Sequence, residues 1–232
     1  MHKSRVIFIL AGLILIAFLG TAYAGQFGAP QPMALENSGS LGIGYFFHQN
    51  TWQTKGGASY REIEQNEIYV QFSAATRYVE TYLRLGGADL KVNDVFQTRD
   101  KFKDNGKFFG TLGVRAILEI TPYFGLGPFF QTSIYDNFED KSSGQTVKFK
   151  SPWDIAGGFA LQGKIGGFIV YAGPYLYWSQ AKDEFTDTSI ESRRKFGGMT
   201  GMRITILKRF NIEAELQYLD KVSAGAQFSY SF

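Results

Sequence analysis

Cysteine is absent from this sequence of 232 residues, and histidine occurs only twice. No disulfide can hold the fold together, and zinc sites built from thiolates or several histidines are disfavoured. An excess of one charge is also lacking, because 24 Lys and Arg residues face 21 Asp and Glu residues. A chain so close to neutral has no electrostatic basis for binding nucleic acid. The sequence therefore predicts no metal, no cofactor and no nucleic-acid partner.

A long apolar run occurs at the N-terminus. Lys3 and Arg5 precede an uncharged run over residues 6–19, and Ala22-Tyr23-Ala24 follows shortly after it. This order is typical of a cleaved secretory signal peptide, whereas a membrane-spanning helix needs about 20 apolar residues. We predict that residues 1–24 are a signal peptide. Its removal takes away two of the 24 basic residues and leaves 22 against 21 acidic ones.

No later apolar run reaches the length of a spanning helix, so insertion into a membrane would have to use strands. From Ser40 onward the sequence alternates with period two, which predicts β-strands. Ile68, Val70 and Phe72, for example, alternate with polar neighbours. The pattern predicts ten strands, at 40–52, 67–74, 78–86, 108–120, 123–135, 153–162, 168–179, 196–207, 210–218 and 222–232.

The connections between these strands alternate in length. Long polar loops are predicted at 53–65, 88–106, 136–150 and 181–194, and tight turns separate the other strands, apart from a short final connection near 219–221. Long loops at one end and short turns at the other are typical of bacterial membrane barrels. We predict an all-β fold, a transmembrane antiparallel up-and-down β-barrel over residues 40–232, with ten strands or, alternatively, eight. Pro128 and Pro174 within the strands predict β-bulges.

The composition of the two strand faces favours a membrane barrel over a soluble one. In a membrane barrel the apolar face meets lipid and polar groups fill the lumen. The polar face carries a predicted lumen charge network of Glu80, Arg84, Arg115, Asp154, Arg203, Glu213 and Glu215. Aromatic residues near strand ends predict interfacial girdles, namely Trp52, Phe108, Trp153 and Trp178. Residues 25–39 are predicted to be a short periplasmic N-terminal segment, with a plug inside the barrel as the alternative.

The last ten residues carry a family resemblance. Gly225, Phe228, Tyr230 and Phe232 lie in one alternating stretch that resembles the closing strand of bacterial outer-membrane proteins. Together with the export signal, the chain resembles small outer-membrane barrels of the OmpA, OmpX and OmpW kind. The resemblance implies a Gram-negative outer-membrane location and contact with outer-membrane lipid and lipopolysaccharide. The even strand count predicts that both termini lie on the short-turn, periplasmic side. It also implies that these four residues are an assembly signal for the barrel-assembly machinery.

Catalytic candidates are few. His48 is the one histidine left after signal removal, and it lies on the inward phase near a strand end. No Gly-x-Ser-x-Gly motif accompanies it. We predict that the protein is not an enzyme, with a lipid-modifying enzyme that uses His48 as the less favoured alternative.

The predicted function is a structural or loop-presenting barrel with a largely occluded lumen. A barrel of this size has an interior that side chains can fill. Large residues on the inward phase include Phe46, Tyr82, Tyr171, Tyr175 and Tyr177. The alternative is a narrow, porin-like channel for small or apolar solutes, lined by inward Phe109, Ile117, Phe129, Ile169 and Met199.

Overall fold

A computed structural model describes residues 27–33, 36–56, 59–93, 101–142 and 145–232. The predicted signal peptide lies outside the described residues. In the described part of the chain, no helix is long and apolar enough to cross a membrane. The described strands are β1 (Ser38–Thr54), β2 (Tyr60–Ala75), β3 (Val79–Asn93), β4 (Lys101–Ala116), β5 (Leu118–Thr121), β6 (Phe124–Tyr135), β7 (Phe138–Ser142), β8 (Gln145–Ile165), β9 (Phe168–Asp183), β10 (Thr188–Ser192), β11 (Phe196–Ile206), β12 (Phe210–Tyr218) and β13 (Val222–Ser231).

These strands form one closed antiparallel sheet. Adjacent strands around the ring pair antiparallel, and β13 closes the ring by pairing with β1, as in Ile43 opposite Phe228. Strands β5, β7 and β10 are collinear pieces of β4, β6 and β11, so ten strands pass around the barrel. The predicted fold class is confirmed, with ten strands rather than eight.

The outer surface of this barrel is apolar and its interior is polar. On β2, Ile68 is 68% exposed and Phe72 is 50% exposed, whereas Tyr69 and Gln71 between them are buried. The same alternation recurs on β6, β9 and β12. Lipid solvates such an exterior, and closure of the sheet pairs backbone groups that lipid cannot satisfy. The chain is therefore a small barrel of the outer-membrane type, not a soluble barrel.

The prediction of long polar loops is wrong for most of their residues. β3 continues to Asn93, β4 begins at Lys101, and these two residues pair across the hairpin. Likewise β1 reaches Thr54 before β2 begins at Tyr60. The hairpins extend the barrel wall past its lipid-facing part, and we call this continuation the extension. Its outward side chains are polar, which is why the sequence pattern indicated loops.

Two irregularities separate the membrane barrel from the extension. The pairing of β3 with β4 shifts register between Ala88 and Leu90, near Gly106, and that of β8 with β9 shifts between Lys150 and Trp153. Each shift adds a residue and reverses which residues face inward. Phe102 and Phe149 consequently point into the extension. The residues that face inward lower on β4 have odd numbers and those lower on β8 have even numbers, so the alternation is reversed at these two residues.

The extension has fewer strands than the membrane barrel. The β12–β13 hairpin turns early, between Tyr218 and Val222, and does not extend upward. Above it β1 pairs directly with β10, with Trp52 opposite Ser192. The wall therefore narrows from ten strands to eight. A step is left in the outer surface where two strands end.

The interior of the extension is an aromatic and aliphatic core. Phe102 and Phe149 are fully buried, with ring centroids 4.9 Å apart, and Trp52 packs against Phe149 at 5.8 Å. The indole Nε1 of Trp52 donates to Ser179 Oγ at 3.0 Å. The prediction that Trp52 belongs to an interfacial girdle is thus wrong. Phe108, Trp153 and Trp178 do face outward near that boundary.

Both prolines lie in regular ladders, so the predicted bulges are wrong. Pro128 is opposite Phe159, and Pro174 is opposite Gly198. Each proline strand has a second neighbour: β4 and β5 pair with β6, and β8 pairs with β9. In these ladders a few pairs next to the proline are missing, and the pairing then resumes in the same register. A proline cannot donate to a ladder. Here that costs a short gap in pairing and does not change the strand count.

Candidate functional site

The lumen of the membrane barrel holds an ion-paired chain of charged side chains. Arg115 Nη2 lies 3.1 Å from Glu80 Oε1, and its Nη1 lies 3.9 Å from Glu213 Oε2. Glu213 Oε1 also lies 3.1 Å from Arg203 Nη2. All four side chains are almost fully buried. A buried charge is tolerated when it is paired and hydrogen-bonded, and alternation of sign along this chain meets that condition.

The other three predicted network members also face the lumen but have different partners. Arg84 donates from Nε to Gln71 Oε1 at 2.7 Å, and its guanidinium lies over the ring of Tyr69 at 4.7 Å. Asp154 contacts the hydroxyl of Tyr135 at 2.6 Å. Glu215 accepts from Tyr171 at 2.9 Å. The structure therefore joins four of the seven in one chain of ion pairs, and all seven side chains face the lumen.

Sequence reasoning missed two charged sites. Glu67 is buried on the inward phase, and the hydroxyl of Tyr135 lies 2.8 Å from its Oε1. Arg61 Nη1 pairs with Asp183 Oδ2 at 2.9 Å in the extension. Alternation placed Glu67 on the polar face, but nothing in the pattern indicated its partner. Arg61 and Asp183 lay in ranges that were interpreted as loops.

Residues 27–33 occupy the lumen, and we call this segment the plug. Its backbone N–H groups donate to charged and polar side chains of the wall. Gly28 N–H donates to Glu215 Oε2 at 2.8 Å, and Ala29 N–H donates to Glu213 Oε1 at 2.6 Å. Phe27 and Met33 N–H groups donate to Glu215 and Glu80. The carboxylates of the charge network thus bind a segment that has no strand partner of its own.

The carbonyl groups of the plug accept hydrogen bonds from cationic and polar side chains of the wall. Arg115 donates to the carbonyl of Phe27 at 3.2 Å, and Arg203 donates to the carbonyls of Ala29, Gln31 and Pro32. Ser231 donates to the carbonyl of Met33 at 2.8 Å. Buried backbone groups need such partners. The charge network therefore supplies both donors and acceptors for one peptide segment.

Side chains of the plug pack against the wall as well. Phe27 is fully buried and stacks on Phe129 at 4.5 Å and against Tyr175 at 5.0 Å. Gly28 has a φ of 79°, and a Cβ there would overlap Arg115 and contact Glu213. Only glycine fits this turn of the plug without strain.

The five apolar residues proposed from sequence as a channel lining all face inward and are buried. Phe129 is covered by plug residue Phe27, and Phe109 stacks on Tyr135 at 5.6 Å. Higher up, a void of about 10 Å³ is enclosed by side chains that include Trp52, Leu90 and Phe138. A space of that size holds about one water molecule. Within the described residues, these contacts fill the space beside Phe109 and Phe129.

Four inward tyrosines lie against glycines on the neighbouring strand. A Cβ atom on any of these glycines would overlap the tyrosine ring, and the pairs are Tyr69 with Gly44, Tyr82 with Gly113, Tyr171 with Gly201, and Tyr175 with Gly197. A glycine in a strand interior often marks such a close approach. These pairs let bulky side chains lie flat along the wall, where they fill the lumen.

The Gly113→Val variant is expected to lose about 1–3 kcal/mol of stability, because the new side chain would displace the ring of Tyr82. Unfolding by urea in lipid vesicles, followed by heat-modifiable gel mobility, measures the loss. Gly198→Val is the matched control, since a Cβ at Gly198 meets nothing within 4 Å. A change of at most about 0.5 kcal/mol is expected there. Equal losses in both variants would refute the close-approach explanation.

His48 lies inside the barrel, where its ring packs among side chains of the barrel wall. Its Nδ1 is 3.2 Å from Ser223 Oγ, and its ring packs 5.3 Å from that of Tyr177. Ser223 Oγ also accepts from the N–H of Gln49 at 3.0 Å and contacts the carbonyl of Gln49 at 3.3 Å. His48 and Ser223 are both buried. That the protein is not an enzyme stays a prediction.

Of the four predicted assembly residues, Gly225, Phe228 and Tyr230 lie on the closing strand β13, and Phe232 follows it directly. Phe228 and Phe232 are exposed on the lipid side, and Tyr230 is half-buried beside Phe210, with ring centroids 5.1 Å apart. Gly225 faces Phe46 across the β1–β13 seam. Within the described ranges, no group of three or more His, Asp and Glu side chains is arranged to hold a metal ion.

No protein-family model matches the sequence, and no curated protein matches it either. Solved structures similar to the chain include the β domain of the Bordetella autotransporter BrkA, with 16% identity and a TM-score of 0.47 over 84% of this chain and 100% of that one. The translocator domain of the autotransporter NalP from Neisseria meningitidis has 10% identity and a TM-score of 0.48 over 100% and 98%. An outer membrane channel from Pseudomonas putida F1 has 10% identity and a TM-score of 0.49 over 89% and 98%.

Proposed function

We propose that this protein has a structural or surface-presenting role in the outer membrane and that its lumen is largely occluded. The observation that carries the proposal is a lumen filled at two levels. The plug, bound by Glu213, Glu215 and Arg203, fills the end near the short turns. The aromatic core around Phe102 and Phe149 fills the extension. A solute would have to displace both.

The orientation in the membrane follows from the two ends of the barrel. Short turns of bacterial barrels face the periplasm, and longer connections face outside. The extension would then project from the cell, and the chain termini would lie on the periplasmic side. Outer-membrane lipid and lipopolysaccharide would surround the lipid-facing strands, and the β13 residues ending in Phe232 would guide assembly. The charged exterior of the extension is the surface available to an external partner.

Reconstitution into a planar lipid bilayer tests the proposal. We expect no stable single-channel conductance from protein that shows heat-modifiable mobility, because both fillings must open before ions pass. A general porin in the same bilayer is the control for insertion. A large, reproducible conductance from the folded wild-type protein would overturn the occluded-lumen proposal and favour the narrow channel instead.

A further inference from the structure

The outer surface has a concave notch at the step where β12 ends and β13 begins. The turn is closed by Leu219 N–H donating to the carbonyl of Lys221, and β1 pairs with β10 above it. The notch has a volume of about 610 Å³. Its lining residues are Thr51, Tyr60, Arg61, Glu62, Arg193, Arg194, Tyr218, Leu219, Asp220 and Lys221.

The notch is basic, and two of its cations are available to a ligand. It holds four basic side chains and two carboxylates. Arg61 is paired with Asp183, and Lys221 Nζ lies 2.7 Å from Glu62 Oε1. Arg193 and Arg194 are exposed, and the described part of the chain offers neither of them an ion-pair partner.

The two available arginines are positioned for an anion. The guanidinium of Arg193 lies over the ring of Tyr60, 4.6 Å from its centroid. This contact restricts the orientation in which the guanidinium can meet a ligand. Arg194 follows it directly on the segment between β10 and β11. A guanidinium donates two parallel hydrogen bonds, a geometry that matches phosphate oxygens better than an ammonium does.

The notch lies at the boundary of the lipid-facing surface. Immediately below it, Tyr218 is 60% exposed and Val222 is 54% exposed. Phe196, two residues after Arg194, is 67% exposed on the same lipid-facing surface. A ligand in the notch would therefore have apolar surface beside it. A lipid has both the anionic head and the acyl chains that this arrangement fits, whereas an acidic peptide would use the head position alone.

We propose that the notch binds the phosphate of a phosphorylated lipid in the outer leaflet, with Arg193 and Arg194 as phosphate ligands. The acyl chains then lie over the apolar wall below, beside Phe196, Tyr218 and Val222. This inference rests on the outer-membrane placement of the proposed function, but it does not depend on whether the lumen conducts.

The test is native mass spectrometry of the full-length protein in detergent, titrated with bisphosphorylated lipid A, dephosphorylated lipid A or inorganic phosphate. Wild-type protein should bind bisphosphorylated lipid A at least about tenfold more tightly than the dephosphorylated form. The double variant Arg193→Ala, Arg194→Ala should lose that difference. The control Lys101→Ala, Lys103→Ala removes two exposed cations elsewhere on the extension and should keep it. Heat-modifiable mobility confirms that each variant is folded.

Three results would overturn the inference. One is equal binding of both lipid A forms by the wild type. Another is a loss in the lysine control that matches the loss in the arginine variant, which would indicate unspecific charge attraction. The third is complete displacement of lipid A by millimolar inorganic phosphate, which would indicate a site for a free anion rather than a lipid.

Discussion

Replacing Glu213 with alanine is expected to destabilise the barrel by about 3–5 kcal/mol, because the change strands buried charge. Glu213 lies between Arg115 and Arg203, whose side chains are about 1% exposed or less. It also accepts the N–H of Ala29 in the plug. Its removal leaves two guanidinium groups under-compensated and one backbone donor unsatisfied. Urea unfolding in lipid vesicles, read by heat-modifiable mobility, measures the loss.

Two comparisons isolate the cause of that loss. Glu139 pairs with Lys148 at 3.1 Å on the exposed face of the extension, so Glu139→Ala should cost only about 0–1 kcal/mol. Combining Arg203→Ala with Glu213→Ala should cost less than the sum of the two single losses, because each single change leaves the charge of the other residue unpaired. If Glu139→Ala and Glu213→Ala lower the free energy of unfolding equally, the buried network stabilises the barrel no more than an exposed ion pair does.

The Phe149→Ala variant is expected to open the extension while the membrane barrel stays folded. Phe149 is fully buried between Trp52 and Phe102, and deletion of such a ring costs about 3–5 kcal/mol. That loss raises the population of an opened extension by about two to four orders of magnitude. Trypsin cleavage in the extension, where Lys and Arg are plentiful, should accelerate by a similar factor.

The matched control for this variant is Phe185→Ala. Phe185 lies near the tip of the extension and is 49% exposed, so loss of its ring should leave the cleavage rate within a few fold of wild type. Unchanged proteolysis in Phe149→Ala would show that the extension does not depend on its core. Simultaneous loss of heat-modifiable mobility would show instead that the extension and the membrane barrel unfold together.

The lipid-facing strands could be predicted from sequence because the bilayer imposes one rule on every outward position. The predicted strand 210–218, for instance, coincides with β12 from Phe210 to Tyr218. The extension could not be predicted in the same way. Its outward residues are polar and its inward residues apolar, and the bulges near Gly106 and Ser151 reverse the phase of alternation. The alternation of outward apolar and inward polar residues, which identifies a strand in lipid, therefore ends where the extension begins.

The site was predictable in composition but not in arrangement. Alternation placed all seven charged residues in the lumen, where they are buried. It could not show that Glu215 accepts hydrogen bonds from the backbone N–H groups of Phe27 and Gly28, because partners on separate strands depend on barrel register and tilt. The plug has no period and contains Pro30 and Pro32. Its position follows from hydrogen-bonding demand, which a single sequence does not display.

The enclosed plug constrains the order of events during assembly. The bond between Ser231 Oγ and the carbonyl of Met33 joins positions 198 residues apart, and the β1–β13 seam closes around this contact. Contacts this distant in sequence form late, because the chain between them must be organised first. Two orders are possible. Either β1 and β13 pair after the plug is already inside the barrel, or the plug enters the lumen after the ring of strands has closed. We therefore expect the two ends of the chain to meet within the unfinished barrel before its last pair of strands joins.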